Sequence, residues 1–163
     1  MNEATRQVMH SSAKDDWRTP VKFWEWIDHL FYFDKDVDRD PCASLRGGWD
    51  DGDALDPDIG WCGIADPLRL YCNPPYGRGT ENWLTKGREA ARRGSTVVFL
   101  LPARPDTKWF HEFAPDADVW LLKGRLKFEG AKDSAPFPSM LMIFGPGRGG
   151  QIKCVDWKAQ IGG

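Results

Sequence analysis

Histidine, cysteine and long apolar runs are scarce in this chain. Only His10, His29 and His111 occur, and Cys42, Cys62, Cys72 and Cys154 form no Cys-x-x-Cys pair. Zinc-ligand spacing is therefore absent, no metal is expected, and the four scattered thiols read as reduced rather than as a disulfide framework. The longest aliphatic and aromatic run, Val97-Val98-Phe99-Leu100-Leu101, is far too short to cross a bilayer. The start, Met1-Asn2-Glu3-Ala4-Thr5-Arg6, lacks the apolar centre of a signal peptide, so a cytoplasmic protein is expected. There is no low-complexity tract. With 163 residues, 41% hydrophobic and 28% charged, the composition fits one soluble globular domain able to bury a core.

A net charge of −2 gives little sign of a polyanionic partner. The average hides an asymmetry. Residues 34–66 hold ten Asp against three Lys or Arg, a net −7, whereas residues 86–127 hold nine Lys or Arg against five acids, a net +4. The second stretch can present one face to phosphate, although Lys86, Arg88, Arg92 and Arg93 also suit a solvated helix face.

Residues 1–16 carry no apolar period and read as a flexible arm, with the folded domain spanning 17–163. Thr19 is a good N-cap and Pro20 suits a first helical position, followed by Phe23, Trp24, Ile27, Leu30 and Phe31 at spacings of three and four. The stretch 33–65 is acidic, broken by Gly47-Gly48, Gly52 and Gly60, and reads mostly as loop around one or two short strands. A short buried strand is expected at Arg69–Cys72, then a helix capped by Thr80 and running to Arg93, with Gly94 as its stop. Thr96–Leu101, apolar on both faces, completes a βαβ unit. Asp106 or Thr107 caps another helix with Trp109, Phe110 and Phe113, and strands follow at Val119–Leu122 and Met140–Phe144. These elements fit a doubly wound α/β sheet with its ligand site at the carboxyl ends of the strands.

Asn73 stands at such an end, opening Asn73-Pro74-Pro75-Tyr76. Two prolines fix φ and remove two N–H donors, so the backbone stays extended and the Pro74 carbonyl has no neighbouring donor. The Asn73 side-chain oxygen and the Pro74 carbonyl can each accept one hydrogen of an aromatic amine. Holding both hydrogens favours a tetrahedral nitrogen whose lone pair can attack an electrophile held in line. Tyr76 can stack on the flat ring. The tetrapeptide equally suits a proline-rich turn that merely ends a strand.

With these elements placed, the chain resembles the phage-type DNA N6-adenine methyltransferases (Dam-like) that use S-adenosylmethionine. The resemblance runs through Trp17-Arg18-Thr19-Pro20, Asp40-Pro41-Cys42-Ala43, Asp53-Ala54-Leu55 and Asn73-Pro74-Pro75-Tyr76. It continues through Leu100-Leu101-Pro102-Ala103-Arg104, Trp109-Phe110, Gly124-Arg125-Leu126-Lys127-Phe128 and Ser139-Met140-Leu141-Met142. It implies a class I methyltransferase fold, a Rossmann-like sheet whose last strand runs antiparallel. It also implies methyl transfer to adenine N6 in double-stranded DNA, with the base flipped out of the helix.

The resemblance assigns Asn73, Pro74, Pro75 and Tyr76 to catalysis, and Thr19, Pro20, Asp40, Pro41, Asp53 and Asn73 to the donor site. Where relatives carry a glycine-rich turn after the first acid, this chain has Pro41 to Arg46 before Gly47-Gly48. Tyr76 and Phe128 become platforms for the two faces of the base, Phe128 also suiting a core position. Arg104, Lys108 and Arg125, with Lys123 and Lys127, become contacts to the DNA backbone. No His or Lys base is expected, because the amine becomes acidic only as the methyl transfers. Two alternatives stay open: the same chemistry on RNA or a protein glutamine amide, and a DNA-binding relic without catalysis.

Overall fold

A computed structural model describes residues 17–34, 61 and 67–162. The arm 1–16, the acidic loop, and with it Asp40, Pro41 and Asp53, lie outside the described residues. In chain order the elements are α1 (Val21–Phe31), β1 (Arg69–Cys72), α2 (Thr80–Arg92), β2 (Thr96–Pro102), α3 (Lys108–Phe113) and a 3-10 turn (Ala114–Asp116). After these come β3 (Asp118–Leu122), β4 (Ser139–Phe144), β5 (Ile152–Val155) and α4 (Trp157–Ile161).

The five strands form one open mixed sheet in the order β1-β2-β4-β3-β5. β1 and β2 pair in parallel, as do β3 and β5, while β4 runs antiparallel to both β2 and β3. The antiparallel strand is therefore not the last one. It enters between β2 and β3, and the chain then adds β5 at the β3 edge. All six β4 residues are buried, as a central strand covered on both faces requires.

Alternation along the strands splits the apolar side chains into two clusters, one per face. On one face Tyr71, Val98, Leu100, Leu141 and Ile143 meet Phe23, Trp26 and Ile27 of α1 and Trp157 of α4. On the other, Leu70, Cys72, Val97, Phe99, Leu101 and Met142 meet Trp83, Leu84 and Ala90 of α2 and Phe113 of α3. The result is three layers, helices on each side of the sheet.

The start of α1 differs from the sequence expectation. Pro20, extended at ψ 138°, is the N-cap rather than the first helical residue, and its carbonyl accepts from Trp24 N. Thr19 does not cap the helix. Its side chain turns instead to β1, with Oγ1 2.7 Å from the Tyr71 hydroxyl. The vacant cap role is met from outside the helix: Glu129 Oε1 accepts from Val21 N at 2.9 Å.

At α2 the boundary also shifts by one, since Gly79 is the N-cap and Thr80 the first helical residue. Thr107 caps α3, its hydroxyl accepting from Phe110 N. Gly94 ends the α2 connection with φ +99°, a conformation for which glycine is the default residue. Among the described residues no helix is long and apolar enough to cross a membrane.

Candidate active site

The parallel directions of β1, β2 and β3 bring the loops after them, Asn73–Gly79, Ala103–Thr107 and Lys123–Pro138, to one end of the sheet. Register sets the first of these. Cys72 lies opposite Phe99, so β2 continues past the end of β1, and Leu100 runs alongside the Asn73 turn. Tyr71 and Asn73 are two residues apart and share the face toward α1.

Asn73 is 9% exposed and its amide is held from three sides. Nδ2 donates to the carbonyl of Trp17 and, at 3.3 Å, to Thr19 Oγ1. The Tyr76 hydroxyl donates to Oδ1 at 2.7 Å and also lies 3.3 Å from the Leu100 carbonyl. A carbonyl such as Trp17 O can only accept, so the amide nitrogen must face it. Asn73 is thereby fixed as an acceptor toward Tyr76, with its oxygen at the carboxyl end of the sheet.

Pro74 is buried and Pro75 exposed. Among the described residues no donor reaches the Pro74 carbonyl. The two acceptors expected from the sequence are thus next to each other in the chain, one oriented by three partners and one without a donor among the described residues. Together they can take the two hydrogens of a planar amine.

Tyr76 is half-buried at the wall of an aromatic group. Its ring stands 5.6 Å from Phe137 at 85° and 6.3 Å from Phe128 at 74°. Trp17 closes the group, edge-on to both phenylalanines at 5.3 Å. Phe128 is only 2% exposed, so it braces the other rings from within the core. Phe137, half-buried between Pro136 and Pro138, is the ring that sequence reasoning missed. Its right angle to Tyr76 makes a corner: a flat ring stacked on one turns its edge toward the face of the other.

The loop that carries Phe128 is stapled to the chain before α1. Glu129 N donates to the Arg18 carbonyl at 3.0 Å, an isolated antiparallel bridge. That bridge, with the Glu129 carboxylate on Val21 N, fixes the Trp17–Thr19 segment whose carbonyl and hydroxyl orient Asn73.

Thr19 and Pro20, expected near a donor, are buried and half-buried respectively. The expected phosphate contacts spread along the same end of the sheet. Arg104 is exposed and opens the turn into α3, its carbonyl accepting from the Thr107 hydroxyl at 2.8 Å. Lys108 begins α3 beside Trp109, where an open groove of about 560 Å³ also meets Glu81, His111 and Glu112. Arg125 is exposed but its Nη1 reaches the Ala135 carbonyl at 3.4 Å, bracing the loop before β4. Lys127 is exposed, and Lys123 pairs with Asp156 at 3.0 Å. Arg88 turns inward from α2, 4.3 Å above the Phe113 ring and bonded to Glu112 and Asp116, so it is a tie between helices rather than part of a solvated face.

An open mixed α/β sheet with this site at its carboxyl end is compatible with a methyltransferase fold. The family described as DNA N-6-adenine-methyltransferase (Dam) matches residues 6–156, and the chain belongs to that family. It is 29% identical over 153 residues to a DNA N-6-adenine-methyltransferase of Haemophilus phage HP1 (strain HP1c1), covering 87% of this chain and 85% of that protein.

Proposed function

We propose that this chain transfers the methyl group of S-adenosylmethionine to the exocyclic N6 of adenine in double-stranded DNA. The observation that carries the reading is the fixed amide of Asn73 next in the chain to the carbonyl of Pro74, which no donor among the described residues reaches. Asn73 Oδ1, alongside or in place of the Tyr76 hydroxyl, and Pro74 O each accept one amine hydrogen. The nitrogen lone pair is then withdrawn from the ring and directed at the donor. With the donor bound, transfer would form one N–C bond and break one S–C bond, and the surplus amine proton would leave to water.

The donor supplies an electrophilic methyl on a cationic sulfur when bound. Carboxylates and aromatic faces suit that cation before its charge is lost. Of the residues proposed for it, Asp40, Pro41 and Asp53 lie outside the described residues, while Thr19 Oγ1 accepts from the Asn73 amide at 3.3 Å and Pro20 follows it in the chain. The described residues fit the amine side of the reaction, and the contact of Thr19 with the Asn73 amide supports a donor site beside the Trp17–Pro20 segment. β4 inserted antiparallel between β2 and β3 supports a class I methyltransferase sheet, here followed by an added β5.

The target amine is paired inside a duplex, so adenine must be flipped out, at a cost on the order of a few kcal/mol. The corner of Tyr76 and Phe137 is the proposed seat for the flipped ring, with Phe128 bracing it from the core. Arg104, Lys108, Arg125 and Lys127 contact phosphate and set position without reading sequence.

Incubation with methyl-labelled S-adenosylmethionine and unmethylated duplex DNA, followed by mass spectrometry of the digested nucleosides, tests the reading. N6-methyldeoxyadenosine is the expected product. Label on RNA or protein but not DNA would overturn the substrate, and absence of donor binding by calorimetry would overturn the enzyme.

A further inference from the structure

We propose that Tyr71 is a positioning residue for the amine-accepting site, acting on Asn73 through the hydroxyl of Thr19. The inference rests on the reading of Asn73 as the acceptor of the adenine amine. Tyr71 is 1% exposed in a strand that otherwise buries apolar side chains, where a phenol without a hydrogen-bond partner would be costly. Its hydroxyl meets Thr19 Oγ1 at 2.7 Å, and the same Oγ1 receives Asn73 Nδ2 at 3.3 Å. The order across the face of the sheet is thus Tyr71, Thr19, Asn73, Tyr76, with Trp17 O below and Leu100 O at the far end.

A primary amide can sit in two orientations that differ by a half-turn, and only one presents oxygen toward Tyr76. Trp17 O selects that one, because the other would set two acceptors against each other. Thr19 is an ambivalent partner, as is Tyr76, since a hydroxyl can donate or accept and would serve either orientation. In the assignment proposed here, Thr19 gives its hydrogen to the Tyr71 oxygen, so only lone pairs face Asn73. Both Nδ2 hydrogens then have acceptors, and the amide oxygen is held toward the base. Tyr71 never touches substrate. It removes the freedom of one of the two hydroxyls beside the amide, the other being that of Tyr76, so that with the Trp17 carbonyl two of the three partners favour a single orientation.

Substitution Tyr71→Phe deletes one oxygen and leaves the ring among Trp24 and Phe33. The expected result is a fall in kcat of about threefold to tenfold, the order of one lost hydrogen bond, with KM for duplex DNA within about twofold and a melting temperature lowered by no more than about 5 °C. Thr19→Val should lower kcat as well, and the double variant should be no slower than Thr19→Val alone, because both act through one chain of bonds. Fully additive losses, or a Tyr71→Phe enzyme with wild-type kcat, would overturn the proposal.

The side-chain amide resonances of Asn73 in ¹⁵N-labelled protein supply a readout independent of turnover. Tyr71→Phe should shift both Nδ2 hydrogens and speed their exchange with solvent. Unchanged resonances would overturn the relay, whether or not the wild-type protein methylates DNA. A protein that shows the shift yet methylates nothing would keep the relay and sink the function instead.

Discussion

The hydroxyl of Tyr76 donates to Oδ1 of Asn73 at 2.7 Å, three residues back along the chain. The tyrosine therefore has two separable uses, a ring that can stack and a hydroxyl that orients the acceptor. Tyr76→Phe keeps the ring and loses the bond, so kcat should fall about threefold to tenfold with little change in KM for DNA. Tyr76→Ala loses both, and base stacking of about 1 to 3 kcal/mol should add a rise in KM of roughly tenfold or more. Steady-state kinetics on one duplex substrate check the split. Equal effects of the two substitutions on KM would argue against stacking.

Asn73→Ala should lower kcat by about 100-fold or more, the order seen when one preorganised hydrogen-bonding group leaves an active site, while donor binding persists. Asn73→Asp is the finer probe. It would set a carboxylate oxygen against the Trp17 carbonyl, which Nδ2 now satisfies. Its melting temperature should therefore lie below that of Asn73→Ala at neutral pH. Circular dichroism melts, with calorimetry of donor binding, decide both points.

How much of this was legible in the sequence follows from the range over which each signal acts. β1 was readable because Leu70-Tyr71-Cys72 is a short apolar run bounded by Pro67 and the Asn-Pro-Pro turn, and α2 because its apolar spacing and Gly94 are local signals. β5 and α4 were not anticipated. Ile152, Lys153 and Cys154 are exposed on an edge strand, so no buried face marks them, and α4 is a single short turn anchored by Trp157. Phe137 escaped notice because two flanking prolines look like plain loop, and only the fold brings it to Tyr76. Thr19 was read as a cap because capping is a local rule. Its actual partner is 52 residues away on β1, a relation no local pattern encodes.

Gly87, buried in the middle of α2, lies against β2 without room for a side chain. An added Cβ would fall 2.6 Å from Phe99 Cζ. Overpacking of this kind costs about 1 to 3 kcal/mol, and better helix propensity returns at most about 1 kcal/mol. Gly87→Ala should lower the melting temperature by roughly 2 to 8 °C. Turnover measured well below the transition should stay close to wild type, since α2 packs on the face of the sheet opposite Asn73.

Arg88 separates two uses of a basic helix. Its side chain is 18% exposed, bonded to Glu112 and Asp116 at 3.3 and 3.4 Å and set over Phe113. Arg88→Ala should loosen α3 and cost about 1 kcal/mol of stability, because the cation–π contact is partly desolvated whereas both acids are largely exposed. Affinity for duplex DNA, read by fluorescence anisotropy, should not change. A marked loss of affinity without loss of stability would place Arg88 among the phosphate contacts after all.

Asp156 links the last helix to the loop after β3. Its Oδ1 caps α4 by accepting from Ala159 N at 3.2 Å, and its Oδ2 takes Lys123 Nζ at 3.0 Å. The Lys123 hydrogen bond first, and the Ala159 N–H second, hold this carboxyl below its ordinary value of 3.8. A folded-state pKa below the unfolded one stabilises at higher pH, and that contribution fades as pH falls below 3.8 through the lowered folded value. Asp156→Asn retains a good cap but loses the charge, so its melting temperature should trail wild type at neutral pH and converge with it in acid. The same substitution releases Lys123, an expected backbone contact, from its carboxylate partner. Duplex affinity should then rise slightly at low salt, and the slope of affinity against salt should steepen. If Lys123 lies away from the DNA path, stability will shift with pH as described while the slope stays unchanged.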